Sequence, residues 1–255
     1  MKNRYIYIIL ILISAVTVNA TAEDSRKASF AEGVSLYTAG SYDKALEKWL
    51  EIYNTGYRSA ELEYNIGNAY FKLNNTAGAI LFFERARLLA PADEDINYNL
   101  QIARTLTVDR FDEIPELFFV RWWNVTSLLL KSNTWAVISL LSFIFFLLGL
   151  SLYLFSSEYR LKATGFWVAI ALLLVSLISM SLSFRSRQLV YDTHKAIIFA
   201  PQVTGKSSPD VSGNVLFELH EGTKVTTGEK VGEWYEIRLS DGNKGWVPAS
   251  SLEII

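Results

Sequence analysis

The residue types that usually make or break bonds are scarce in this chain. It holds two histidines and no cysteine. Thiolate chemistry, disulfides and zinc–sulfur sites are therefore ruled out. His194 and His220 are too few for a histidine metal cluster and read as turn or surface residues. No Gly-x-Ser-x-Gly elbow, phosphate-binding loop or dinucleotide fingerprint occurs, and the acidic residues gather at helix starts and turns. Neither catalytic residues nor a cofactor or metal site is expected, and the chain reads as a non-enzyme. Two other groups of side chains suit binding. Tyr37, Tyr64, Asn65, Asn68, Phe71, Lys72 and Tyr98, with Phe30 and Val34, interleave aromatics with amides in the manner of a peptide-binding surface. The alternative is that several of these are core. Near the end of the chain, Trp234 and Pro248 form a second candidate surface.

The elements that must position the first group lie in residues 28–107. Sliding the chain by thirty-four positions brings Gly33, Leu36, Ala45 and Trp49 onto Gly67, Tyr70, Ala79 and Phe83. This period, with small residues where paired helices touch, resembles the tetratricopeptide repeat. The second copy carries Gly67, Ala69, Tyr70, Ala79, Phe83, Ala86 and Pro91 in the family's places. Glu63 stands where the family usually has Trp, and Ile52 and Tyr57 replace the expected Ala and Pro in the first copy. A third helix at 93–106 is expected to cap the second repeat. The resemblance implies a groove lined by the first helix of each pair. The terminal-carboxylate clamp of chaperone-binding relatives is not matched: Phe30, Val34, Asn65, Asp95 and Asn99 occupy its places.

Residues 1–22 have the order of a secretory signal peptide: Lys2 and Arg4, an apolar run, then small residues, with cleavage expected after Ala20 or Ala22. Residues 134–155 and 165–184 contain no charged side chain and are long enough to cross a membrane as helices. They also lack any ionisable group that would mark an ion path. Residues 108–133, with Trp122 and Trp123, suit either the membrane interface or a helix packed on the repeats. From 190 to 255 the texture becomes short apolar alternations with turn signals, a small β domain, in which Asp241 and Gly242 are expected to form a tight two-residue hairpin turn. This part resembles a bacterial SH3 domain, with Trp234 and Pro248 in places that form the ligand slot of eukaryotic relatives. The slot's tyrosines are missing, and Trp246 is expected to pack against the barrel.

The expected fold class is thus a multidomain membrane protein: an all-α tetratricopeptide solenoid, a transmembrane helical hairpin and a small all-β SH3-like barrel. Net charge is −2 and no basic block occurs, so nucleic acid is not an expected partner. Taken in order, the modules resemble the BatE-like Bacteroides aerotolerance proteins. That resemblance implies an envelope protein acting beside von Willebrand A-domain partners and a MoxR-type ATPase. A signal peptide and an even number of spans would leave both soluble domains in the periplasm of a bacterium, anchored to its inner membrane. The groove would take envelope proteins. The rival expectation is a cell-wall tether whose SH3 domain binds peptidoglycan peptides.

Overall fold

The structure is a computed structural model that describes residues 23–111, 117–191 and 194–255. The expected signal peptide lies outside the described residues, as does the "DEIPE" stretch of the juxtamembrane segment. The chain forms two compact units. One contains the residues up to Arg110 together with nearly all of the β domain; the other is built on Phe111–Lys195.

The first unit begins with helices α1 (23–38), α2 (Tyr42–Asn54), α3 (Ala60–Lys72), α4 (Thr76–Leu89) and α5 (Glu94–Thr105). Their starts are set by local chemistry. Ser59 accepts from the Leu62 amide and Asn75 from the Gly78 amide, and Asp93 accepts from both Asp95 and Ile96. Each cap satisfies donors that the first helical turn leaves open.

The thirty-four-residue period is written into the backbone as well as the sequence. Gly40 and Asn74 both adopt positive φ, at 78° and 59°. The next residue, Ser41 or Asn75, bonds back to the carbonyl of Leu36 or Tyr70, each at 2.9 Å. The packing repeats too. A Cβ on Gly33 would lie 2.4 Å from the Trp49 ring, and one on Gly67 would lie 2.6 Å from the Phe83 ring. Both rings are fully buried, so glycine is what lets the two helices of each pair close on an aromatic side chain.

The β part is a seven-stranded antiparallel sheet in the order β3-β2-β6-β5-β4-β1-β7. Its strands are β1 (Lys195–Ile198), β2 (Gln202–Lys206), β3 (Val215–His220), β4 (Lys224–Val231), β5 (Trp234–Arg238), β6 (Lys244–Pro248) and β7 (Leu252–Ile254). The β5–β6 connection differs from the tight turn expected. Pairing ends at Arg238 and Lys244, leaving Leu239–Asn243 as a longer loop. Asp241 closes that loop by accepting from the Asn243 amide, and Gly242 supplies the positive φ it needs.

The helices and the sheet are not separate modules. Strand β1 is buried on both faces, because Ile197 enters the helical core while Ala196 and Ile198 face the sheet interior. Phe199 and Ile255 pack against the same helical core. Gly222, at φ +85°, brings the β3–β4 turn onto helix α4: a Cβ there would meet Thr107 at 2.8 Å and Ile80 at 3.2 Å. Covering the helical stack is thus shared by α5 and the β domain, where the sequence pointed to α5 alone.

The second unit holds α6 (Phe118–Leu128), α7 (Ser132–Phe155) and α8 (Tyr159–Val190). Helices α7 and α8, of 24 and 32 residues, are long and apolar enough to cross a membrane. They pair along a seam of small residues. Ser139 and Ser176 donate to each other's backbone carbonyls at 2.9 and 3.0 Å, and Ser132 and Ser183 do the same. Gly149 packs on Gly165 and Ala169. Such residues let helix backbones approach closely. Helix α8 takes up most of the "SSEYRLKAT" link, since Arg160 to Ala163 are good helix formers; only Ser156–Glu158 remain as a connection. Helix α6 packs against α8 and exposes Phe118, Phe119 and Trp122, an apolar face suited to an interface.

Candidate functional site

The described helices enclose a cavity of about 310 Å³ on the surface formed by α1, α3 and α5. That size falls in the range of ligand-binding clefts. Tyr37 lines it from α1, and Tyr64, Asn68, Phe71 and Lys72 line it from α3. The spacing of the α3 residues explains the grouping, because positions three and four apart share one helix face. Asn99 and Ile102 of α5 complete the wall.

Four residues named from sequence fall elsewhere. Asn65 sits one position from Tyr64, about 100° around α3, and does not line the cavity. Tyr98 is 64% exposed and is likewise outside it. The neighbour of Tyr98, Asn99, is the α5 residue that turns inward. The signal for it was the buried stripe Ile96, Leu100 and Ala103, which fixes the rotation of α5 and sets Asn99 and Ile102 at its edge. Phe30 and Val34 also lie outside: Phe30 packs toward Trp49, with ring centroids 6.3 Å apart, and Val34 is exposed.

The polar groups of the cavity are tied together. Asn99 Nδ2 donates to Tyr64 Oη and to Asn68 Oδ1, both at 2.9 Å. The Tyr64 ring packs on Phe83, so the network is braced by the core. Tyr37 is braced by Tyr42 and Trp49, with ring centroids 5.0 and 5.8 Å away. Burial pushes the Tyr37 phenol above its ordinary value, which keeps it a hydrogen-bond donor at neutral pH. Among the described residues Lys72 has no carboxylate partner. The arrangement offers aromatic walls, fixed amides and one cation. Nothing in it is placed to activate a nucleophile, and the described residues hold no cluster of His, Asp or Glu suited to a metal ion.

The second candidate surface is on the sheet. Trp234 pairs directly with Pro248 and Glu236 with Trp246 across β5 and β6. Since side chains alternate along a strand, Trp234, Trp246 and Pro248 share one face, opposite the buried Ile237 and Val247. Lys206, the β2 partner of Trp246, holds its ammonium 5.9 Å from the Trp234 ring. Trp246 is half-buried on this face beside the other two.

Comparison with known families identifies this part of the chain: residues 206–253 match the bacterial SH3 domain. The C-terminal region is a bacterial SH3 domain on an antiparallel sheet, preceded by a mostly helical part with two long apolar helices. No curated protein matches the chain.

Proposed function

We propose that this protein is a non-catalytic, membrane-anchored adaptor of the bacterial envelope whose helical cavity binds a segment of a partner protein. The observation that carries this reading is the cavity itself, where two tyrosines, a phenylalanine, two amides and a lysine from three helices converge. The helices read as tetratricopeptide repeats over 28–107. The recurrence of the Gly–aromatic contact and of the positive-φ turn at thirty-four positions supports that assignment. Helices α7 and α8 would fix the protein in the inner membrane, and the SH3 domain is in keeping with an envelope location. Both soluble parts would then face the periplasm. The resemblance to BatE-like proteins extends the reading to an aerotolerance complex with von Willebrand A-domain partners. Recovery of partners from solubilised membranes is expected with the wild-type chain and lost with Tyr64→Ala/Phe71→Ala. Undiminished recovery by a folded double variant would overturn the groove assignment.

A second reading, a cell-wall tether, draws on the outward Trp234, Trp246 and Pro248. Bacterial SH3 domains often bind peptidoglycan, and aromatic faces suit that task. Sedimentation of the solubilised full chain with purified sacculi tests it: binding that weakens in Trp234→Ala would favour the tether, and absence of binding would remove it.

A further inference from the structure

We infer that the cavity receives the carboxylate of an acidic side chain carried on a peptide, held between Lys72 and the Asn68 amide, with an apolar neighbour from the same peptide against Phe71 and Ile102. The inference rests on the peptide-groove reading above and names the chemistry of the occupant.

Asn99 spends both of its N–H groups inside the network, on Tyr64 Oη and Asn68 Oδ1. Because the Asn68 oxygen is turned to Asn99, its Nδ2 faces away with two N–H groups to give. Tyr64 accepts from Asn99, so its own hydrogen is also free to donate. With the Lys72 ammonium and the Tyr37 hydroxyl, the cavity presents donors from four side chains, against one amide acceptor, Asn99 Oδ1, and the two phenol oxygens. No carboxylate lines it. An occupant rich in acceptors, and negatively charged beside Lys72, satisfies these groups; a basic one would leave them unpaired. The hydrophobic wall of Phe71 and Ile102 then needs an apolar neighbour, which a peptide supplies and a free small anion does not.

Asp95 is an acidic residue one turn before Asn99 on α5. Short connections make α3 and α5 parallel. Asn99 bonds both Tyr64 and Asn68, so Lys72 is a turn or more onward from it and Asp95 a turn back. The two charges are separated by roughly 12 Å along the groove at 1.5 Å per residue. That exceeds the screening length of about 8 Å at physiological salt. The groove is therefore polarised, and the acidic side chain belongs at the Lys72 end.

The test is selection of random displayed peptides on the detergent-solubilised full chain, run in parallel on wild type, Lys72→Glu and Phe71→Ala. Wild-type selections should enrich Asp or Glu beside an aliphatic or aromatic residue. A synthetic peptide of that consensus should bind Lys72→Glu roughly tenfold or more weakly, as expected for loss of a charged hydrogen bond. Its own Glu→Gln version should weaken similarly on wild type, which keeps the test valid even if a protein variant misfolds. Lys72→Glu should instead enrich Lys or Arg. Peptides that depend on Phe71 but show no acidic preference would overturn this inference and leave the groove reading standing. Peptides indifferent to both changes, or no enrichment at all, would overturn the two together.

Discussion

Lys224 Nζ on strand β4 lies 2.9 Å from Oε1 of Glu84 on helix α4, joining the β domain to the helices through a carboxylate that is 1% exposed. Arg87 reaches the other oxygen at 2.8 Å and Arg104 of α5 shares Oε1. Burial alone would push the Glu84 carboxyl up; Lys224, Arg87 and Arg104 outweigh it and hold the group below the usual carboxylate range. Arg85, which bonds Glu253 and the Ile254 carbonyl, and Asp109, which accepts from His220 and Thr223, add further links.

Removing Glu84 strands three cations at one junction. Glu84→Ala is expected to destabilise the helical and β parts together by about 3–5 kcal/mol, the range for breaking a buried charge network. Hydrogen exchange checks this: amides of α4 and β4 should lose protection in step. Loss confined to α4 would mean that the two parts unfold independently.

The shared core predicts that the β domain is not self-sufficient. A fragment covering 194–255 exposes Ile197, Phe199 and Ile255, which pack on the helices in the whole chain. It is expected to show weak chemical-shift dispersion by NMR or to self-associate, whereas a protein retaining helices α1–α5 should not. A well-dispersed monomeric spectrum from the fragment would count against the common core.

The two buried glutamates predict opposite pH slopes. Burial pushes the Glu63 carboxyl from 4.5 up to about 7, with Arg85 and then Arg58 opposing the rise. Arg58 Nε stands 3.9 Å from Oε1, and among the described residues Oε2 has no hydrogen-bond partner. A folded value above the unfolded one means that the folded state holds the proton more tightly. Its contribution is therefore complete below pH 4.5 and lost as pH rises to about 7, amounting to about 3 kcal/mol at ~1.4 kcal/mol per pKa unit. Glu84, with its value depressed, contributes above 4.5 and loses that contribution as the solution is made more acid. Glu63→Gln should raise stability at pH 8 and flatten the profile between 4.5 and 7 in thermal melts. An unchanged profile would show that Glu63 is not buried in its charged form.

Gly33 and Gly67 should respond alike to substitution. A methyl group at either must displace a buried ring, Trp49 or Phe83, so Gly33→Ala and Gly67→Ala are each expected to cost about 1–3 kcal/mol. A large cost at one and none at the other, read from melts of the two variants, would break the equivalence of the two helix pairs.

Topology can be mapped with single cysteines, because the chain has none of its own. Ser41 caps α2 without a side-chain bond, Ser157 is exposed, and exposed Ser207 gives up only one bond, from the Asn214 amide, so all three suit the change. With the outer membrane permeabilised, an impermeant thiol reagent should label Ser41→Cys and Ser207→Cys and spare Ser157→Cys. The reverse pattern would put helices α1–α5 and the SH3 domain in the cytoplasm.

What the sequence determined by itself were features with a local cause. The apolar helices follow from composition, because a long run without charge and without Pro is stable as a helix long enough to cross a membrane. The helix pairs follow from a period at which Gly33 meets Trp49 and Gly67 meets Phe83, and the β strands from alternation between turn residues. Tertiary structure alone decided that Ile197 joins the helical core and that Lys224 answers Glu84, since neither residue carries a mark of its distant partner in its neighbours. It also decided that Asn99 and not Tyr98 faces the cavity. Adjacent helix residues differ by about 100°, and only the packing of Ile96, Leu100 and Ala103 on α4 fixes which of the two turns inward.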